Sequence, residues 1–153
     1  SGYLGSLKIF GSTDMDLNYS DKIVKLIEDE DLADSIKILG QIDNEQFVNL
    51  HREADLFLFL NIDQSWGLSV FESMSCGLPV ILSESVGATE ILNHKINSIF
   101  VNPLDALLVV DVIKKIIDDT QCYKELSNNS FSFCKKYSWD ESYSSKMLAM
   151  LLE

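Results

Sequence analysis

The chain has 153 residues, enough for one domain with a sizeable core. Hydrophobic residues make up 46% and charged residues 24%, the balance of an ordinary globular protein rather than a disordered or membrane-embedded one. A formal net charge of -12 argues against a nucleic-acid or anionic-membrane interface on this domain, while leaving room for a local basic pocket.

In chain order, Ser1 to Ser6 reads as a loose leader, and Leu7 to Gly11 as a first strand ending in a glycine turn. Ser12 to Asn18 is a polar loop. Ile23, Val24, Leu26 and Ile27 place a helical stripe on Ser20 to Glu30, with Ser20 or Asp21 near its N-cap. Ile36 to Leu39 is a second strand closed by Gly40. Gln41-Ile42-Asp43 forms a short loop, and Asn44 caps a helix with Phe47, Leu50 and Ala54 on its inner side. Leu56 to Leu60 is the third strand, and Val80 to Leu82 the fourth.

Ser85 to Glu90 leads into a short helix ending near Asn93, and Glu90, three residues after Gly87, reads first as the closure of a capping box. Ser98 to Val101 is a fifth strand, stopped by Asn102-Pro103. An amphipathic helix follows from Asp105 to Asp119, and the tail reads as helical over 123–137 and 139–152. No repeat, linker or low-complexity run divides the chain. Strand and helix alternate five times, which predicts one α/β domain over 1–153, a doubly wound parallel sheet of Rossmann-like type.

Cys76, Cys122 and Cys134 are odd in number and lack a C-x-x-C spacing, and His51 and His94 stand apart from them. Neither a zinc site nor a disulfide framework is implied, and the thiols read as reduced and mostly packed in a cytosolic protein. No signal peptide and no bilayer-length apolar run is present.

The chain is organised around Asn61 to Ser83. An apolar strand, a polar turn, a short helix and a second apolar strand imply a parallel crossover, and such sheets take ligands outside the carboxyl ends of their strands. Trp66-Gly67 delivers the chain into the helix, whose first amides and positive dipole end suit an anion. Glu72 lies in its second turn. Amides for phosphate with a carboxylate behind them suit a nucleoside diphosphate: amides for the phosphates, carboxylate for the ribose hydroxyls.

These residues also carry a resemblance. Gln64-x-Trp66-Gly67-Leu68-x-x-x-Glu72-x-Met74-x-x-Gly77-x-Pro79-Val80 resembles the signature of glycosyltransferase family 4. Leu39-Gly40-Gln41-Ile42 and Ala54-Asp55-Leu56 upstream, with Gly87-Ala88-x-Glu90, Ser98-Ile99-Phe100-Val101-x-Pro103 and Tyr137-Ser138-Trp139 downstream, are similar to further landmarks of that family.

The resemblance implies the C-terminal, nucleotide-sugar-binding half of a GT-B enzyme, with the N-terminal acceptor domain lying outside this chain. It implies a retaining transferase that passes a hexose or related sugar, UDP- or GDP-linked, to a glycan or lipid-linked acceptor, with no metal or other cofactor. Where the family has two glutamates with seven residues between them, this chain has Gln64 and Glu72, so the first position cannot carry charge.

Gln64 is then the catalytic candidate, positioning donor sugar or phosphate, with Glu72 on the ribose and Gly67 and Leu68 offering amides to the diphosphate. Gln41 and Ile42 either flank the nucleobase or form a plain turn. Trp66 reads first as loop packing and second as a wall against sugar or base; Glu90 reads first as a cap and second as part of a donor loop. Leu68, Phe71 and Met74 are expected in the core. The expected location is cytoplasmic, with any approach to a membrane's inner face made by the rest of the protein. Two other readings stand behind this one: a receiver-like phosphoacceptor domain, which lacks the required lysine at Asn102, and a non-catalytic partner subunit, suggested by Gln64.

Overall fold

The computed structural model describes residues 5–13, 16–62 and 66–136. The chain divides into two compact units, Ser1–Leu50 and His51–Glu153. Expectations for the leader, for Gln64 and for the tail beyond residue 136 fall outside the described residues.

The first unit holds strand β1 (Leu7–Phe10), helix α1 (Leu17–Asp29), strand β2 (Ile36–Gly40) and most of helix α2 (Asn44–Glu53). β1 and β2 pair in parallel, Leu7 opposite Ile36 and Ile9 opposite Ile38, with an irregularity after Ile9 that sets Phe10 opposite Gly40. Phe10 meets Phe47 edge-on at 5.7 Å between ring centroids. α1 begins three residues earlier than the stripe predicts. Asp16, not Ser20 or Asp21, caps it: its carboxylate accepts the Tyr19 N–H at 3.0 Å. Ser20 instead sits inside the helix and donates to the Thr13 carbonyl.

Asn44 is likewise not the cap of α2. Asp43 accepts the Gln46 N–H at 2.8 Å while the Gln46 side chain accepts the Asp43 N–H at 3.0 Å, a reciprocal box that satisfies two amides at once.

The second unit is built on strands β3 (Phe57–Phe59), β4 (Val80–Ser83) and β5 (Ile99–Val101), parallel and adjacent in that order. Helix α3 (Leu68–Ser75) connects β3 to β4, while helices α4 (Ala106–Asp118) and α5 (Thr120–Lys136) follow β5. β4 is central, and its residues are buried on both faces. Val80 and Leu82 join Val70, Met74 and Val86 in one cluster; Ile81 joins Val101, Val109, Ile116 and Leu126 in another. The period-two alternation of one strand thus feeds two cores, as a sheet wound with helices on both faces demands. Val80, Ile81 and Leu82 are each 0% exposed, worth about 1.5–3 kcal/mol apiece in transfer free energy.

Side chains of α5 hold the unit together beyond packing. Ser127 Oγ donates to the Gly77 carbonyl at 2.6 Å, Ser130 Oγ to that of Asn97 at 2.8 Å, and Asn129 to that of Ile96 at 2.9 Å. Asp119 ends α4 and opens α5, its carboxylate accepting the N–H groups of Gln121 and Cys122. No helix among the described residues is long and apolar enough to cross a membrane.

Candidate functional site

α3 opens at the carboxyl end of β3, as the sequence predicts for a parallel crossover. Gly67 stands at its N-cap with φ 80° and ψ 61°, a left-handed conformation that costs glycine little and other residues more. A Cβ at this position would come within 3.0 Å of Phe59 Cε1 and 3.2 Å of Val86 Cγ1. Backbone conformation and tight side-chain neighbours therefore both favour glycine here, independently of any ligand's approach.

Glycine also leaves the helix start open. Among the described residues, no side chain caps α3, and the first-turn amides of Leu68 and Ser69 have no side-chain partner there. The Val70 N–H turns back to the Gly67 carbonyl at 3.0 Å.

The loop after β4 closes on the same edge. The Ala88 N–H donates to the Trp66 carbonyl at 3.1 Å, tying the segments that follow two neighbouring parallel strands. Trp66 stacks on Phe71, ring centroids 5.8 Å apart and planes 29° apart. That favours the packing role for the indole, although 39% of the residue remains exposed.

Glu72 is exposed on the second turn of α3, and its backbone carbonyl accepts from Ser75 Oγ. Leu68, expected in the core, is 68% exposed. It precedes Val70 by two residues, about 200° around the helix, so it faces away from the buried Val70–Met74 stripe. Met74 is fully buried and Phe71 packs at the edge of the same cluster.

Gln41 and Ile42 directly follow β2 in the first unit, Gln41 exposed and Ile42 half-buried. Gly67, Leu68, Trp66 and Glu72 gather in the second. Glu90 does not close a capping box. Gly87–Glu90 is a 3-10 turn without side-chain capping, and Thr89 Oγ1 donates to the Val86 carbonyl instead.

Two histidines acquire roles that the sequence did not reveal. His51 is 3% exposed, and its Nε2 lies 2.8 Å from Ser73 Oγ, which in turn donates to the Ser69 carbonyl at 2.7 Å. The available signal was spacing: His51 falls four residues after Phe47, on the inner face of α2. His94 Nδ1 accepts the Phe100 N–H at 2.9 Å. Loss of solvent around this ring, and secondarily the charge of Lys95, lower its pKa from 6.5.

All three cysteines are free, Cys76 being exposed, against the expectation of packing, and the others half-buried. Among the described residues, no group of three or more His, Cys, Asp or Glu side chains is arranged to hold a metal ion.

A parallel sheet wound on both faces, with an open helix start at its carboxyl edge, defines the carboxyl-terminal Rossmann-like half of the GT-B architecture. The chain belongs to the glycosyl transferases group 1 family, whose model matches residues 6–133.

Among curated proteins, an uncharacterized glycosyltransferase of Methanocaldococcus jannaschii is 27% identical over 88% of this chain and 34% of its own. D-inositol 3-phosphate glycosyltransferase of Mycolicibacterium smegmatis is 26% identical over 84% of this chain and 29% of its own. The chain thus spans about a third of the length of these relatives. Among solved structures, HepE of Anabaena in complex with UDP aligns at TM-score 0.83 and 21% identity, covering 97% of this chain and 40% of that one. The same protein in complex with UDP-glucose aligns at 0.82 and 21%, covering 96% and 40%. These alignments establish the shared fold.

Proposed function

We propose that this domain binds the nucleotide-sugar donor of a retaining glycosyltransferase that passes a hexose or related sugar to a glycan or lipid-linked acceptor. The observation that carries the reading is the α3 start. Gly67 in the left-handed conformation places the amides of Leu68 and Ser69 at the sheet's carboxyl edge with no side-chain cap among the described residues, and exposed Glu72 lies one turn behind. The amides would take the diphosphate and Glu72 the ribose hydroxyls, with Gln64 against the sugar or phosphate.

The UDP and UDP-glucose complexes of a protein sharing the fold support a uridine nucleotide, with a guanosine nucleotide as the alternative. The chemistry would rest on holding donor and acceptor in register and on stabilising the departing diphosphate, with no resident metal or other cofactor. An N-terminal domain of the same protein would supply the acceptor site. The domain would work in the cytoplasm, with any membrane approach made by other parts of the protein.

Ligand-observed NMR with UDP, GDP and ADP, using Glu72→Ala as control, tests this. The method reads millimolar affinity, only about 4 kcal/mol, the range suited to half a cleft. Selective binding of one nucleotide, lost in a folded Glu72→Ala protein, is the expected result. Equal binding by that variant would remove Glu72 from the site.

A further inference from the structure

We infer that His51 is a positioning residue for the phosphate end of the donor site, acting through the Ser73 hydroxyl on the backbone amide of Leu68. The inference rests on the donor-site reading above and adds to it a residue from outside the nucleotide-facing edge.

Proton counting fixes the direction of the bond between the two side chains. Ser73 Oγ has a single hydrogen, and it goes to the Ser69 carbonyl at 2.7 Å. The 2.8 Å approach of His51 Nε2 to the same oxygen therefore requires the ring nitrogen to be the donor. Both side chains are sealed from water, at 3% and 0% exposure, so this hydrogen bond has no solvent competing for it.

The bonds then run in one direction. His51 donates to Ser73, and Ser73 donates to the Ser69 carbonyl, which shares a peptide unit with the Val70 N–H. That N–H donates to the Gly67 carbonyl at 3.0 Å, and the Gly67 carbonyl shares its peptide unit with the Leu68 N–H. Each group that accepts a hydrogen bond becomes a better donor at its other end, so successive bonds polarise one another in the same sense. The series ends on the Leu68 amide at the open start of α3, where an anion would sit. It also fixes the first turn against the end of α2 and so holds that amide's direction.

A phenylalanine or leucine at position 51 would serve a purely packing role equally well. The relay predicts a difference. In 15N-labelled His51→Leu, the Leu68 amide proton should move upfield, and UDP should bind roughly three- to tenfold more weakly at a temperature where the protein is fully folded. His51→Gln, whose amide N–H reaches about as far as Nε2–H, should recover both. If His51→Leu fails to fold, Ser73→Ala breaks the relay one bond later and Ser73→Thr keeps it, and the same two readouts decide.

Unchanged UDP affinity in the folded relay-breaking variant, or no recovery by the variant that retains the relay, overturns the inference alone. Wild-type protein that binds neither UDP nor GDP overturns the donor-site reading and this inference with it.

Discussion

Phe59 occupies the space that a side chain on Gly67 would need. A Cβ there would lie 3.0 Å from Phe59 Cε1, and the φ of 80° is already unfavourable for any other residue. The last residue of β3 thus selects the residue at the start of α3. Gly67→Ala should lose about 1–3 kcal/mol of stability in urea unfolding and weaken UDP binding at the same time, because relief of the contact moves the Leu68 amide. Wild-type stability in this variant would show that the Phe59 ring yields without cost.

Asp119 joins two helices with one carboxylate, which accepts the N–H groups of Gln121 and Cys122 at 3.0 Å each. Asp119→Ala should cost about 1 kcal/mol, and Asp119→Asn, which keeps an acceptor oxygen, much less. Chemical denaturation of the two variants checks the order. Equal loss in both would place the effect in the charge rather than the cap.

His94 makes stability depend on pH. Its imidazole accepts the Phe100 N–H, a role the protonated ring cannot fill, and its folded pKa lies below 6.5. As pH falls, the unfolded chain takes up this proton before the folded one does. The contribution is therefore present above pH 6.5 and is lost as pH falls through the lowered folded value. His94→Asn, with an amide oxygen as acceptor and no titration, should flatten the acid side of the stability curve. An unchanged slope would remove His94 as its source.

The three thiols should react in sequence. Cys76 is exposed, whereas Cys134 donates to the Phe71 carbonyl at 3.3 Å, and burial pushes its pKa up from 9.0 to about 11. Alkylation at about pH 8 followed by mass spectrometry should find Cys76 modified first and Cys134 last, since the thiolate is the reactive form. Early labelling of Cys134 would mean that the end of α5 opens readily.

Much of this was legible in the residues themselves. Strand β4 could be read from an uninterrupted Val80-Ile81-Leu82 run, and the α3 start from a strand, a polar turn and a Trp-Gly pair in that order. The caps were less legible. Asp16 and Asp43 compete with neighbouring Ser, Asp and Asn side chains, and only local geometry chooses among acceptors a few residues apart. Leu68 went astray because hydrophobicity alone does not say which side of a short helix it falls on.

The sequence by itself determined the class of fold, which follows from periodicity and local turn chemistry acting over a few residues, and the family, which its motif resemblance carried. Tertiary structure alone decided that Phe59 and Val86 crowd Gly67, that Trp66 lies on Phe71, and that His51 reaches Ser73. Each of these joins residues on different elements or on successive turns. Their distance and direction exist only once the sheet and its helices have packed, because a pattern along the chain carries no record of which side chains will share a desolvated space.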